Sequence, residues 1–137
     1  MAYIERMLHT HPLQSGTQNH ALAACIEAAG ECLAMCNACA DACLGERDVD
    51  QFKRAIRLNN DCADLCDSAL RIMSRQTRSN PAMVRAAVDA MATACQLCGE
   101  ECQKHAGMHE HCRLCADACR RCEHACRELM QSIRLAA

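Results

Sequence analysis

The chain is nearly without aromatic side chains: Tyr3 and Phe52 stand alone, and there is no tryptophan. A core of ordinary composition is thereby excluded, since aromatics usually carry a large share of buried area. Proline is limited to Pro12 and Pro81, glycine is scarce, and no stretch alternates Val, Ile or Thr with polar residues. Strands therefore have almost no support. An excess of one charge is missing too: the net charge of -2 comes from interspersed residues, so neither a nucleic-acid face nor a basic membrane-binding helix is indicated. No run anywhere reaches the roughly 18 residues of a membrane span, and the N-terminal M-A-Y-I-E-R-M-L-H-T-H-P lacks a signal-peptide core. These absences lead to the expectation of a cytoplasmic protein with neither nucleic acid nor membrane as partner.

What the chain has instead is sulfur. Fifteen of its 137 residues are cysteine, so the core must be built from Ala, Leu, Met and Cys. In C-R-L-C-A-D-A-C-R-R-C-E-H-A-C, residues Cys112, Cys115, Cys119, Cys122 and Cys126 recur at alternating steps of three and four. That spacing places all of them on one face of an α-helix, with Arg113, Asp117, Arg120, Arg121 and Glu123 on the solvent side.

The same steps recur upstream. A first long helix is expected from an N-cap at Thr17 to a C-cap at Gly45, with Cys25, Cys32, Cys36, Cys39 and Cys43 facing inward. A second opens at Asp48, with Gln51 completing a capping box, and runs to about Arg75. Its inner face reads Phe52, Ala55, Ile56, Asn59, Cys62, Cys66, Ala69 and Met73. T-R-S-N-P then interrupts, with Asn80 as N-cap and Pro81 at the first helical position. The third helix turns Val84, Val88, Met91, Cys95, Cys98 and Cys102 inward and ends near His105, and the fourth carries the five-cysteine run through Leu129 and Ile133.

Four helices of similar length joined by short connections make antiparallel neighbours. The expected fold is all-α: an antiparallel up-down-up-down four-helix bundle over residues 17–137, preceded by a short arm over residues 1–16 that ends in the breaker Ser15 and Gly16. Such a bundle has an axial gradient. One end gathers Cys39, Cys43, Cys98, Cys102, Cys112 and Cys115 with the histidines of the third connection; the other collects Leu22, Ile72, Met73, Met83, Val84, Val88, Leu129 and Ile133. A thiol and imidazole mouth thus faces an apolar plug.

A reducing compartment keeps thiols free and turns a cysteine-rich pattern toward metal or redox chemistry. Helix neighbours three or four apart have Cβ atoms roughly 5 to 6 Å apart, too far for an unstrained disulfide. Bridges between helices stay open. Two thiolates spanning about 4.6 Å through two metal–sulfur bonds suit a linear two-coordinate ion, and soft thiolates select Cu(I), Zn(II) or iron–sulfur clusters. Charge separates these options. A dry core of thiolates needs one positive charge for each; bridged Cu(I) supplies that ratio, whereas an unshared four-thiolate zinc site keeps two excess negative charges. Cysteine also packs as a small hydrophobe, a reading that competes on nearly even terms for Cys25 alone. A thiol or iron–sulfur redox protein and a zinc-sequestering protein remain the alternatives.

Among the histidines, His9, His11, His20 and His124 read as solvated. His105 extends the third stripe past Cys102, and His109 and His111 lead into Cys112, so these three are read as ligands at an entrance above the thiols. Asn59 lies one step from Cys62 on the inner face, and Asp61 is a weaker candidate. Met35, Met73, Met83, Met91 and Met130 read as core filler.

These residues carry a family resemblance. C-x3-C-x2-C-x3-C from Cys32 to Cys43, C-x3-C at Cys62 and Cys66, C-x2-C-x3-C from Cys95 to Cys102, and H-x-H-C before the five-cysteine run together resemble the cytosolic copper storage proteins. The resemblance spans roughly residues 17–134. It implies Cu(I) storage, many ions per chain, inside a cysteine-lined bundle; a homotetramer; exchange with copper donors or acceptors; and metal uptake at a polar end where His105, His109, His111, Asn59 and Asp61 are the matching positions. The chain lacks the secretion signal and methionine-rich mouth of the exported branch, which favours the cytosolic one. Its second helix holds fewer cysteines than cytosolic members typically carry, implying a lower capacity. No catalytic role is expected.

Overall fold

The computed structural model describes residues 2–13 and 19–136, and every regular element among them is helical. Helix α1 spans Ala2–His9 and α2 Asn19–Leu44; a 3-10 turn, Val49–Phe52, leads into α3, Lys53–Ser74, followed by α4, Pro81–His105, and α5, Glu110–Ala136. Helices α2 to α5 hold 26, 22, 25 and 27 residues, lengths of about 33 to 41 Å at 1.5 Å per residue. They match well enough to pack along most of their length. Helix α2 packs on α3 and α5, and α4 packs on the same two, which is the up-down-up-down bundle the sequence predicts. Helix α1 lies against α2 and contributes Leu8 to the core.

Local chemistry explains most of the boundaries. At the start of α4, Asn80 Oδ1 accepts from Ala82 N at 2.9 Å and Met83 N at 3.3 Å, and Pro81 follows in the first turn. The connection before it reverses through Arg78, whose φ of 57° lies in the left-handed region. Helix α2 stops at Gly45, whose N–H still reaches Asp41 O at 3.2 Å and Ala42 O at 3.0 Å. The capping box expected at Asp48 and Gln51 does not form. A 3-10 turn occupies this segment, and the Gln51 N–H that the Asp48 side chain would have taken goes to the Asp48 carbonyl at 3.0 Å. The proposed Thr17 cap and the Ser15 and Gly16 breaker lie outside the described residues.

The four stripes meet along one axis. All fifteen cysteines are buried and free. Phe52 closes the core near one end, while Met73, Val88, Met91 and Leu129 fill it toward the other. Met83, expected in that plug, is instead 59% exposed; it sits in the first turn of α4 on an open cleft beside Ile72, Arg75 and Asn80. Gly99 allows α4 to approach α5, since a Cβ there would lie 3.3 Å from Cys119 Cβ.

One sequence expectation needs correction. Residues His20–Leu44 of α2 are long and apolar enough, at mean hydropathy 1.3, to cross a membrane by length and composition. That hydropathy comes largely from alanine and cysteine interspersed with polar residues, so a search for unbroken apolar runs misses it. In the bundle the α2 thiols are covered by the other long helices: Cys32 Sγ lies 3.8 Å from Cys62 Sγ on α3 and 3.9 Å from Cys95 Sγ on α4, and Cys25 Sγ lies 4.0 Å from Cys126 Sγ on α5.

Replacing Asn80 with Ala removes both cap bonds at the start of α4. The expected cost is about 1 kcal/mol, or about 3 to 5 °C in Tm, measurable by thermal melting of the metal-free protein; an unchanged melting curve would show that the cap contributes nothing.

Candidate metal centre

The helical steps of three and four give each stripe a regular ladder of sulfurs, and the bundle sets the ladders face to face. Starting near the plug, Cys25 and Cys126 form a pair at 4.0 Å. Above them lie overlapping groups: Cys32, Cys66, Cys95 and Cys122; then Cys32, Cys36, Cys62 and Cys119; then Cys36, Cys98, Cys115 and Cys119; then Cys39, Cys102 and Cys115. Cys39, Cys43, Cys112 and His111 complete the column at the mouth. Within each of these groups the ligand atoms lie within 4.8 Å of one another, close to the span of about 4.6 Å that two metal–sulfur bonds bridge. Because Cys32, Cys36, Cys39, Cys115 and Cys119 each belong to two groups, the sites are continuous.

The array is strongly coupled. The shortest sulfur contacts, Cys32 to Cys36 and Cys62 to Cys95, are both 3.7 Å, far longer than the disulfide bond length of about 2.05 Å. Hydrogen bonding to Cys115 and Cys119, with burial, pushes the Cys36 thiol up, while bonds received from Cys102 and Cys119 pull Cys115 down. Nearer the mouth, burial pushes Cys43 up and Cys112 up to about 12.

Asn59 sits wholly buried among these sulfurs. Its Oδ1 accepts from Cys98 Sγ at 2.9 Å, Cys115 Sγ at 3.2 Å and Cys102 Sγ at 3.6 Å, while its Nδ2 has no hydrogen-bond partner. An unpaired buried donor normally costs about 1 to 3 kcal/mol. Here it suits a core whose thiols become thiolates, which accept and no longer donate.

The mouth is held by two carboxylates that the sequence reading passed over. His111 Nδ1 lies 3.4 Å from Cys39 Sγ and 3.6 Å from Cys112 Sγ, and its Nε2 lies 2.9 Å from Glu46 Oε2. The same Glu46 oxygen is 2.9 Å from His109 Nδ1. His105 Nε2 lies 3.4 Å from Glu101 Oε2, while Glu101 Oε1 pairs with Lys104 at 3.1 Å and Arg54 at 3.3 Å. Phe52 lies beneath them, its ring centroid 4.7 Å from that of His105 and 5.0 Å from that of His109. The hydrogen bond from His111, aided by His109, holds the Glu46 carboxyl below its ordinary range. Burial opposes ionisation of Glu101, but hydrogen bonds from Lys104 and His105 outweigh it and hold that carboxyl low as well.

The predicted candidates thus separate. All the cysteines, Asn59 and His111 meet in the column, and His105 and His109 stand beside it at the mouth. Asp61 is half-exposed and engaged with Arg57 Nε at 3.0 Å. His20 and His124 are exposed as expected. His11, read as solvated, is half-buried: its Nδ1 accepts from Leu13 N at 3.0 Å, and its Nε2 lies 3.2 Å from Thr77 Oγ1. Glu101 was findable, because it precedes His105 by one helical turn. Glu46 was not, since 65 residues separate it from His111.

A helical bundle with a continuous column of buried thiols, apolar at one end and capped by imidazoles at the other, defines a multinuclear soft-metal protein. Comparison with known proteins makes the class specific. The family model described as copper storage protein matches residues 18–131, and the chain belongs to that family. The copper storage protein Ccsp of Streptomyces lividans, solved loaded with 10 copper equivalents, is 46% identical with a TM-score of 0.91, covering 93% of this chain and 98% of Ccsp. Cu(I)-bound copper storage protein BsCsp3 is 40% identical with a TM-score of 0.69, over 77% of this chain and 94% of BsCsp3. The cysteine-rich protein YhjQ of Bacillus subtilis is 40% identical over 106 residues, which are 77% of this chain and 93% of YhjQ.

The raised thiols fix a pH dependence for the metal-free protein. Cys112, at about 12, stays protonated in the fold where an unfolded-chain thiol, with a reference value of 9.0, has ionised. Its contribution is complete below pH 9.0 and lost as pH rises toward about 12. Urea midpoints of reduced apoprotein should therefore fall above pH 9.0, and Cys112→Ala should flatten that fall. A midpoint equally pH-dependent in both proteins would contradict it.

Proposed function

We propose that the chain stores and buffers Cu(I), many ions per molecule, with all fifteen cysteines as ligands. The observation that carries this reading is the unbroken column of buried sulfur groups, open to imidazoles at one end only. Each incoming Cu(I) displaces thiol protons and brings the charge that a buried thiolate requires. Asn59 Oδ1 offers an oxygen at the level of Cys98 and Cys115, with its Nδ2 available to thiolates. His105, His109 and His111 receive copper at the mouth and pass it to Cys39, Cys43, Cys102 and Cys112. Asp61, half-exposed and paired with Arg57, acts farther out.

The remaining assignments belong to the same reading. Residues 1–16 form an arm and residues 17–137 the storage bundle; the protein is cytoplasmic, works without catalysis, exchanges copper with donors or acceptors, and assembles as a homotetramer. Support for the compartment comes from a Streptomyces lividans relative described as a cytosolic copper storage protein, 49% identical and covering 85% of this chain. The homotetramer follows the family resemblance.

Titration of reduced apoprotein with Cu(I) against a competing chelator is expected to saturate near one copper per cysteine. Saturation at about one to four equivalents would sink the storage reading, leaving one soft-metal site of ordinary size. A brown anaerobic protein absorbing in the visible would point to an iron–sulfur cluster instead, and metal analysis after growth with both metals separates zinc from copper. Replacing His105, His109 and His111 together should slow the first phase of loading by on the order of 10-fold or more; an unchanged rate in stopped flow removes them from the entrance.

A further inference from the structure

The mouth contains one carboxylate oxygen shared by two imidazoles. Glu46 Oε2 lies 2.9 Å from His109 Nδ1 and 2.9 Å from His111 Nε2. An ionised carboxylate only accepts hydrogen bonds, so each ring nitrogen facing it must carry the proton. The two rings present different nitrogens to the same oxygen, and their free lone pairs therefore lie on different atoms: Nε2 of His109 and Nδ1 of His111. The His111 Nδ1 lone pair faces Cys39 Sγ at 3.4 Å and Cys112 Sγ at 3.6 Å. We propose that Glu46 is a positioning residue that imposes opposite tautomers on His109 and His111, so that copper passes from His109 Nε2 to His111 Nδ1 and on to Cys39 and Cys112.

The surroundings hold this arrangement in place. Glu46 lies two residues past the end of α2, and its N–H bonds to Cys43 O at 3.2 Å, so its backbone is anchored beside a thiol of the column. The His109 ring stands edge-on to buried Phe52 at 5.0 Å and 5.8 Å from the His111 ring. A carboxylate on the far nitrogen also makes each imidazole a stronger electron donor toward a metal. The proposal deepens the storage reading and rests on it for the identity of the ion.

The test begins without metal. In reduced, 15N-labelled apoprotein at about pH 8, above the imidazole range, long-range 1H–15N correlation spectra should show His109 as the Nδ1–H form and His111 as the Nε2–H form. Glu46→Ala should release His109 from the Nδ1–H form and slow uptake of the first Cu(I) equivalent by about 10- to 100-fold in stopped flow. Glu46→Gln keeps a carbonyl oxygen whose two lone pairs can still accept from both rings, so it should preserve both tautomers; Glu46→Leu, which removes the acceptor, serves as the second variant if Glu46→Ala does not fold by circular dichroism. The same tautomer on both histidines in the wild type overturns the proposal. So does a Glu46→Ala or Glu46→Leu variant that keeps both tautomers and the wild-type uptake rate. A wild type that saturates at a few coppers overturns the storage reading and the copper path with it, whereas the spectra, recorded without metal, still decide whether Glu46 sets the tautomers.

Discussion

A buried thiolate needs a positive charge within bonding distance, because an uncompensated ion in a dry core costs several kcal/mol even after relaxation. The rest of the molecule depends on this constraint. The fifteen thiols can be packed as small apolar groups while protonated, and the metal-free fold does so, with sulfur contacts of 3.7 to 4.0 Å and no disulfide. The same positions become ligands once a monovalent cation replaces each proton. Apoprotein and loaded protein can then share one architecture, because the charge of the core changes little as copper is exchanged for protons.

The need for compensation also explains the difference between the two ends. The plug of Met73, Val88, Met91 and Leu129 offers no polar group to an ion, and the pair of Cys25 and Cys126 above it is the innermost part of the column. At the mouth, charge is present before any metal arrives, but it is tied up. Glu101, almost fully buried, is matched by Arg54 and Lys104 and steadies His105. Glu46 joins His109 to His111. Both carboxylates hold imidazoles without touching a thiol in the contacts described, so the nitrogen of His111 that faces sulfur remains free to bind. Asn59 continues this polar lining inward, its oxygen occupied by three thiols and its nitrogen unpaired.

Much of this was legible from residue spacing. Steps of three and four between cysteines specify a helix face whatever the partner helix is, and they located the inner faces of all four long helices. Asn80 and Pro81 marked the start of α4 correctly, because the cap is made by residues two and three positions away. The Asp48 and Gln51 box failed for an equally local reason: a 3-10 turn had already used the Gln51 N–H. Met83 fell outside the plug because a position on the inner face of a helix is buried only where another element covers it. The apolar character of α2 escaped notice because alanine and cysteine raise mean hydropathy without forming a long unbroken run.

By itself, the sequence determined the helical class, the sulfur-lined inner faces, the polarity of the two ends and the soft-metal chemistry, since all of these follow from the helical period and the nature of the ligand atoms. Only the tertiary structure decided which thiols share a site, that Asp61 pairs with Arg57, and that Glu46 lies between His109 and His111. Those relations join residues on different elements or depend on the direction of a side chain. Linear spacing does not encode a 2.9 Å contact across 65 residues; the packing of one helix end against another creates it.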